Sequence, residues 1–470
     1  MQADAAELAL CVRERNITPH RSDASGWMSG YGYGKRGNLD RRAARPLRAQ
    51  CLVLWNNGRP NVMLRVDVIG IPRRVHRTIR QRVLAAVPGL DSASFLLAAS
   101  HTHSGPFVGD ERLNPRTMIH LDDAEVAAVN AYTDHLIDQL VDTVRMAAHT
   151  PPVPVILGYA EGRAEIARNR TGLKAHPQDV SVLAAYSVAD GSVRAVLFGN
   201  SCHPVCRGYD EVYDSDHCGF AAQLIEDQLG VPALFFQGCC GDLNPDVDDD
   251  VRGEEVIVTV GTVLGRKVVA LVRDAEFVPV TGPLETKLEE IALPLALDTG
   301  DAGVVAALRA KYQQRLDDLP DDDTAAGGAR RHAEIILDQI SDRTLPRSVP
   351  MPIQRWRFDG LSILALGHEV VSGYGVDIRE QFTNGPLWVM AYANEVSLYV
   401  PSDELLWRGG YEAGWNDDPT VAGIDTSLIF YPWPIPLRAT PRGRRPPGAP
   451  ADPHSAEGVL MRASLNILNS

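Results

Sequence analysis

The sequence of 470 residues has no apolar run of the about 20 residues that a bilayer-spanning helix needs. Its opening, MQADAAELALCVRERNITP, lacks the charged start, long apolar middle and small-residue cleavage site of a signal peptide. It also lacks a Lys/Arg-rich stripe beyond a short RGRR at 442–445, and 46 basic against 60 acidic residues give a net charge of −14. These absences predict no transmembrane segment, no nucleic-acid partner and a cytoplasmic location.

Cysteine is scarce and odd in number, with seven residues and no CxxC spacing. A disulfide framework is therefore not indicated, and we expect reduced thiols. Most of the cysteines crowd between Cys202 and Cys240, so a thiolate metal site is the alternative. The irregular spacing of Cys202, Cys206 and Cys218 favours small buried thiols in a core.

The composition is that of a globular protein, at 45% hydrophobic and 23% charged residues. The length suits one large catalytic domain, and we assign residues 1–470 to a single domain. Residues 301–345 carry alternating charges and an acidic run, which predicts a charged helical hairpin inserted in that domain. Residues 431–470 begin with a proline-rich stretch and are predicted to be a tail that packs on the core.

The order of elements near the N-terminus predicts an α/β fold. Two apolar runs flank an Asn-Asn-Gly turn at 56–58, which is typical of a β-hairpin. A helical pattern at 73–87 then leads into the apolar run FLLAA. An order of strand, helix and strand favours a parallel pair with a right-handed crossover. Such a pair would place Asp67 and His101 together at the carboxyl ends of their strands. Similar runs downstream predict a mixed sheet core with flanking helices.

The stretch SHTHSGP at 100–106 ends an apolar strand in two histidines. On an extended chain residues i and i+2 point to the same side, so His101 and His103 would face one cavity. Histidine is the commonest neutral metal ligand and a proton carrier near neutral pH. A pair of capping or surface histidines is the alternative, because HxH alone is a weak motif.

Three further apolar strands also end in potential metal ligands. The run VRAVLFGNSCHP ends at His203, and LSILALGHE ends at His368 and Glu369. The run WVMAYANEVSLY leads to Asn394 and Tyr399. A buried sheet that presents such residues along one edge is where α/β proteins build their sites. We therefore predict a metal site at the C-terminal ends of these strands.

Across these stretches the sequence resembles the neutral, non-lysosomal ceramidases, a family of zinc amidases. The matching stretches follow the family's order over roughly residues 15–412, and SHTHSGP and GDLNP are the most specific of them. They are ITP at 17–19, PLRAQCLVL at 46–54, SHTHSGP at 100–106, NRT at 169–171, CHP at 202–204, SDHCG at 215–219, FQGCCGDLNP at 236–245, GHE at 367–369 and YANEVSLYVPSDE at 392–404.

The resemblance implies that four residues bind Zn²⁺, namely His101, His203, Glu369 and Tyr399. Two histidines and a carboxylate are also, on chemical grounds, a common catalytic zinc set that leaves one position open for water. Tyrosine is a less usual ligand, because its phenol has an unperturbed pKa near ~10 and binds as phenolate only with the help of the metal.

The resemblance also implies that His103 and Arg170 sit beside the metal and contact the scissile group. In that arrangement, His103 takes a proton from the attacking water and returns it to the leaving amine. Arg170 stabilises the developing oxyanion or holds a substrate oxygen. From the residues alone, a surface salt bridge is the alternative for Arg170.

Three carboxylates are candidates for orienting the ligand histidines, namely Asp67, Asp216 and Asp242. Carboxylates often accept a hydrogen bond from the second ring nitrogen of a metal-bound histidine. A helix cap or a turn is the alternative for Asp216 and Asp242, since Asp216 precedes a helical stretch.

About seventy residues remain after Tyr399, and we expect these to be too few for both the end of the catalytic core and the C-terminal immunoglobulin-like domain of the ceramide-cleaving members. This difference and the cytoplasmic location argue against ceramide itself as the substrate. The favoured function is hydrolysis of a carboxamide in a small N-acyl molecule by zinc-activated water. The alternatives are a zinc-dependent ester or lactone hydrolase, a ring-forming acyl transferase, and a non-catalytic metal-binding protein. The sequence leaves homo-oligomer formation open.

Overall fold

Strands and helices alternate along much of the chain. The computed structural model describes residues 8–20, 26–31, 36–38, 40–109, 121–175, 177–248, 251–319, 324–414, 433–441 and 450–470. Its strands are β1 (Leu8–Asn16), β2 (Arg48–Asn56), β3 (Arg59–Val66), β4 (Phe95–Ala99), β5 (Val153–Arg163), β6 (Ala167–Asn169), β7 (Asp179–Ser187), β8 (Val193–Asn200), β9 (Ala233–Gln237), β10 (Leu243–Pro245), β11 (Val278–Pro294), β12 (Ser348–Asp359), β13 (Leu361–Leu366), β14 (Glu369–Val370), β15 (Leu387–Met390) and β16 (Tyr399–Val400). Its α-helices are α1 (Arg73–Ala86), α2 (Asp123–Ala148), α3 (Asp216–Leu229), α4 (Glu254–Asp274), α5 (Ala302–Asp318), α6 (Thr324–Ser341), α7 (Ser372–Gln381), α8 (Asp403–Arg408) and α9 (Ala456–Asn469).

One 12-stranded mixed sheet organises the protein. Its strands run in the order β15-β13-β12-β11-β5-β1-β2-β3-β4, and β7, β8 and β9 branch from β5. Most neighbouring strands are antiparallel, and the parallel pairs are β3 with β4, β8 with β9 and β13 with β15. The predicted α/β fold, with a mixed sheet core and flanking helices, is confirmed.

Each parallel pair of the sheet is built as a strand, a helix and a returning strand. Helix α1 connects β3 to β4, α3 connects β8 to β9, and α7 lies between β13 and β15. A parallel return requires such a crossover, which leaves the carboxyl ends of both strands at the same edge of the sheet. The segments that follow β4, β8 and β13 are those that carry the predicted ligands.

Two apolar cores lie on opposite faces of the sheet. One core consists almost entirely of strand residues and draws on all twelve strands of the sheet, with Tyr159, Phe236, Trp356, Phe358 and Trp388 as its aromatic members. Because strands alone fill it, the sheet curls over its own inner face. The other core lies between the sheet and the helices, and it includes Ile79 of α1 and other helix residues.

Local sequence explains where the helices begin and which side they bury. Helix α1 buries Val75, Ile79 and Val83 at helical spacing. Helix α2 starts at a capping box, in which Asp122 accepts from the backbone of Glu125 and the Glu125 side chain accepts from the backbone of Asp122. The buried sides of these helices pack on the outer face of the sheet.

Helices α5 and α6 occupy the region predicted as a charged hairpin. Tyr312 of α5 donates to the carbonyl oxygen of Pro434 over 2.5 Å, and a ring nitrogen of His332 in α6 donates to that of Trp433 over 3.0 Å.

Residues 431–432 and 442–449 of the predicted tail lie outside the described residues. The single-domain assignment and the missing immunoglobulin-like domain stay predictions. Among the described helices, none combines the length and the apolar character needed to cross a membrane.

Candidate metal centre

Three buried histidines point their Nε2 atoms at one another. The Nε2 atoms of His101 and His203 are 3.0 Å apart, those of His101 and His103 3.2 Å, and those of His103 and His203 3.0 Å. Ligand nitrogens placed tetrahedrally around zinc at about 2.0–2.1 Å lie about 3.3–3.4 Å apart, close to this spacing. Three buried ring nitrogens this close together favour a positive charge between them. The group therefore fits a divalent metal ion.

Backbone contacts between strand ends bring the histidines together. His101 follows β4, and its N–H donates to the carbonyl oxygen of Val68, just past the end of β3, over 3.1 Å. The N–H of His103 donates to the carbonyl oxygen of Pro204 over 3.2 Å, which joins the loop after β4 to the loop after β8. His101 has a φ of 67°, in the left-handed region that a histidine adopts only when surrounding contacts impose it.

The histidines differ in the hydrogen-bond partner of their second ring nitrogen, Nδ1. Nδ1 of His101 donates to the carbonyl oxygen of Ile69 over 2.5 Å, and Nδ1 of His203 donates to that of Cys240 over 3.0 Å. Since a carbonyl oxygen only accepts, both rings carry their proton on Nδ1 and present a lone pair on Nε2. Nδ1 of His103 is buried and has no hydrogen-bond partner among the described residues.

The surroundings favour neutral rings. Burial lowers the pKa of His103 and of His203 well below the usual range of imidazole, and the neighbouring histidines lower both further. The positive charge of Arg170 acts on both rings in the same direction. The neutral ring is the form that binds a metal ion.

Glu369 and Tyr399 reach the histidines from a short parallel pair. Strands β14 and β16 place the two residues directly opposite each other. The Oε2 atom of Glu369 lies 3.3 Å from Nε2 of His101, and Glu369 is buried. The structure thus brings Glu369 to the histidine cluster, with Tyr399 as its cross-strand neighbour.

Arg170 follows β6 and is fixed by several partners. Its Nε donates to Glu412 over 2.8 Å, one Nη donates to Asn244 over 3.2 Å and the other donates to the carbonyl oxygen of Gly241 over 2.7 Å. Burial alone would lower the pKa of Arg170, but Tyr399 and Glu412 beside it hold that pKa well above its usual range. Arg170 is therefore a permanent cation next to Tyr399 rather than half of an exposed surface pair.

Two solved structures have the same fold as this chain. The structure of neutral ceramidase from Pseudomonas aeruginosa matches with a TM-score of 0.65 at 19% identity, over 91% of this chain and 72% of that one. A ceramidase complexed with C2 matches with a TM-score of 0.65 at 18% identity, over 90% of this chain and 73% of that one. The chain has a neutral ceramidase-like fold. No protein-family model and no curated protein matches at the sequence level.

The hydrogen bonds around the histidine cluster differ from the role expected for the carboxylates. Asp67 is paired with the buried Arg65 and accepts from Ser100 Oγ over 2.8 Å. Asp216 accepts from the ring of His217 over 2.9 Å. In the described structure neither carboxylate bonds to the rings of the clustered histidines, and backbone carbonyl oxygens take the Nδ1 protons of His101 and His203 instead.

Asp242, the third of these carboxylates, also lies beside the site without contacting the clustered rings. It accepts from Asn169 over 2.7 Å and from the backbone N–H of Ser372 over 2.6 Å. Its backbone carbonyl accepts from the N–H of Arg170 over 2.9 Å. Asp242 therefore fixes the loop that carries Arg170, and its contact with the histidines is indirect.

A second buried group has the composition of a metal site. Cys206, Asp216 and His217 bring potential ligand atoms within 4.8 Å of one another. Asp216 accepts from the backbone N–H groups of Cys206, Arg207 and His217 as well as from the His217 ring. Burial and the charge of Asp216 raise the pKa of the Cys206 thiol well above its usual range. These contacts satisfy the carboxylate without an ion and agree with the interpretation of the cysteines as buried thiols.

His368 and Asn394, which the sequence also placed at strand ends, form hydrogen bonds in the structure around the metal centre. His368 accepts from the N–H of Ser397 over 3.1 Å and donates to the carbonyl oxygen of Pro350 over 2.9 Å. Asn394 bonds to Arg80 over 2.7 Å and to Gln354 over 3.0 Å. Both therefore anchor the segments that carry Glu369 and Tyr399.

Sequence reasoning missed other supporting groups, above all Glu412 and the carbonyl oxygens of Ile69 and Cys240. A carbonyl oxygen leaves no trace in the residue type, so no sequence signal identified the last two. Glu412 lies in the stretch YEAG, where a lone carboxylate gives no sign of a partner as distant as Arg170.

Proposed function

We propose that this protein is a zinc-dependent hydrolase that cleaves the carboxamide bond of a small N-acyl molecule. The observation that carries the proposal is the convergence of His101, His103 and His203 beside the carboxylate of Glu369. The ceramidase-like fold supports it, since that fold is shared with two solved ceramidases.

His101, His203, Glu369 and Tyr399 would hold the ion. The two histidines are suited to this because their Nδ1 atoms are tied to carbonyl oxygens, which fixes the tautomer that exposes Nε2. Tyr399 is suited because the charge of Arg170 stabilises a phenolate beside it. This answers the chemical objection that a phenol is a poor ligand.

The bound ion would lower the pKa of a coordinated water to about 7 and polarise the substrate carbonyl. His103 Nε2 lies 3.0 Å from Nε2 of His203, where it accepts a proton from the attacking water and returns it to the leaving amine. Its Nε2 faces the proposed ion site, and the ion itself is assigned to other residues, so this ring is left for proton transfer. His103 is therefore the proton carrier.

Arg170 would hold the oxygen on which negative charge develops. A guanidinium has five N–H groups, and Glu412, Asn244 and Gly241 each accept from a different nitrogen. These bonds and a further one to Tyr399 orient the side chain, and the N–H groups that they do not use would be donated to a substrate oxygen. A preorganised cation of this kind is most effective where burial excludes water.

Metal analysis and a matched substrate panel test the proposal. We expect the purified protein to contain zinc, to lose amide hydrolysis on chelation and to regain it when zinc is restored. His101→Ala should abolish both zinc and activity, whereas His149→Ala, at an exposed ring outside the centre, should change neither. Amides and esters with the same acyl groups separate an amidase from an esterase. A metal-free preparation that hydrolyses amides would refute the proposal.

A further inference from the structure

Tyr392 packs against the ring of His101. The two ring centroids are 4.2 Å apart and the planes are tilted by 35°, so the phenol covers one face of the imidazole. The backbone N–H of Tyr392 donates to the carbonyl oxygen of His368 over 3.2 Å, and its carbonyl oxygen accepts from Ala99 over 3.1 Å. Tyr392 therefore connects the strand end that precedes His101 with the one that precedes Glu369.

Cys240 supports the other anchored histidine and touches Tyr392 as well. Its carbonyl oxygen accepts from Nδ1 of His203 over 3.0 Å. Its thiol donates to the phenol oxygen of Tyr392 over 3.2 Å. Both side chains are completely enclosed, at 0% exposure for Cys240 and 1% for Tyr392. The hydrogen bond between the thiol and the phenol thus links Cys240, which holds the ring of His203, to Tyr392, which covers the ring of His101.

We propose that Tyr392 and Cys240 are positioning residues that hold His101 and His203 in the geometry needed to bind the metal ion. The inference rests on the proposed function. A ligand ring can rotate about its side-chain bonds unless its surroundings fix it, and outer contacts of this kind set metal affinity. Here the stacked phenol limits rotation of His101, the carbonyl oxygen limits rotation of His203, and the thiol bond makes the two supports one unit.

Conservative variants separate this role from ordinary packing. Tyr392→Phe keeps the stacked ring and removes the oxygen that accepts from the thiol. Cys240→Ala removes the donor, and Cys240→Ser supplies a shorter one. Tyr374→Phe and Cys239→Ala are matched controls, because Tyr374 donates elsewhere, to Pro401 over 3.1 Å, and Cys239 is an equally buried thiol next in the chain.

The measurements are the zinc dissociation constant, by competition with a chelator, and the visible absorption of the cobalt-substituted protein. We expect Tyr392→Phe and Cys240→Ala each to weaken zinc binding about 10-fold or more and to alter the cobalt spectrum. The double variant should lose little more than either single change, because both remove the same bond. Cys240→Ser should recover part of the loss, and both controls should bind zinc like the unaltered protein.

Thermal unfolding of the metal-free variants shows whether each one folds. The inference is overturned if folded Tyr392→Phe and Cys240→Ala keep full zinc affinity, or if the controls lose as much as they do. Where zinc binds the unaltered protein and is lost in His101→Ala, such a result defeats only this inference. If the unaltered protein binds no zinc, the proposed function falls with it.

Discussion

Glu369 and Tyr399 lie opposite each other on the parallel strands β14 and β16. In-register neighbours on parallel strands point their side chains to the same side about 4.8 Å apart, so the carboxylate and the phenol share one face of this pair. Oε2 of Glu369 is 3.3 Å from Nε2 of His101, which directs that face towards the histidines. In the proposed site this pair would supply the oxygen ligands, and the strand ends would supply the imidazoles.

Tyr399→Phe should weaken zinc binding by at least about 10-fold, because it removes the one phenol oxygen that the proposal assigns to the ion. The dissociation constant for zinc measures this directly. Tyr411→Phe is the control, since its ring lies 5.4 Å from that of Tyr399 but has no proposed contact with the ion. Equal zinc affinity in Tyr399→Phe and the unaltered protein would remove Tyr399 from the ligand set.

His103→Ala should keep its zinc and lose activity, with kcat lower by about 10²–10⁴-fold, the usual range for a general base. The reason is that proton transfer, not metal binding, is the role proposed for this ring. Zinc content and kcat are measured on the same preparation, with His101→Ala as the comparison that loses both. Loss of zinc in His103→Ala would make His103 a ligand instead.

Arg170→Lys should lower kcat by about 10²-fold and leave zinc bound. Lysine keeps the charge but has no planar fork, so it cannot hold Glu412, Asn244 and Gly241 at once while it contacts a substrate oxygen. Steady-state kinetics separate kcat from KM. The same substitution at Arg408, an exposed residue paired with Glu404, is the control and should change neither. Unchanged kcat in Arg170→Lys would contradict the proposed role.

Asp67→Ala should reduce the free energy of unfolding by about 3–5 kcal/mol, because it leaves Arg65 buried without its partner. Chemical denaturation of the metal-free protein measures this. Asp138→Ala breaks an exposed pair with Arg82 and should cost no more than about 1 kcal/mol. Zinc content per folded molecule should stay unchanged in Asp67→Ala, since Asp67 bonds to Ser100 and Arg65 rather than to a histidine ring.

Much of the fold was predictable because its signals are local. The helical spacing of Val75, Ile79 and Val83 and the apolar run before His101 predicted a parallel strand pair, and β3 and β4 form it. The pairing of β11 with β12 was not predicted, because all residues of β11 except Val280 and Leu293 are partly or fully exposed and the strand gives little apolar signal. A strand of that kind can be identified only from the strand that it pairs with in the structure.

The sequence by itself determined that His101, His203 and Glu369 stand at the ends of apolar strands, because each apolar run stops at polar or turn residues. Only the tertiary structure decided what meets at those ends. The imidazoles of His101 and His203 are oriented by the carbonyl oxygens of Ile69 and Cys240 rather than by aspartates. The physical reason is that local patterns specify the face a residue occupies, whereas its partners depend on how crossovers and the curled sheet bring separate loops together.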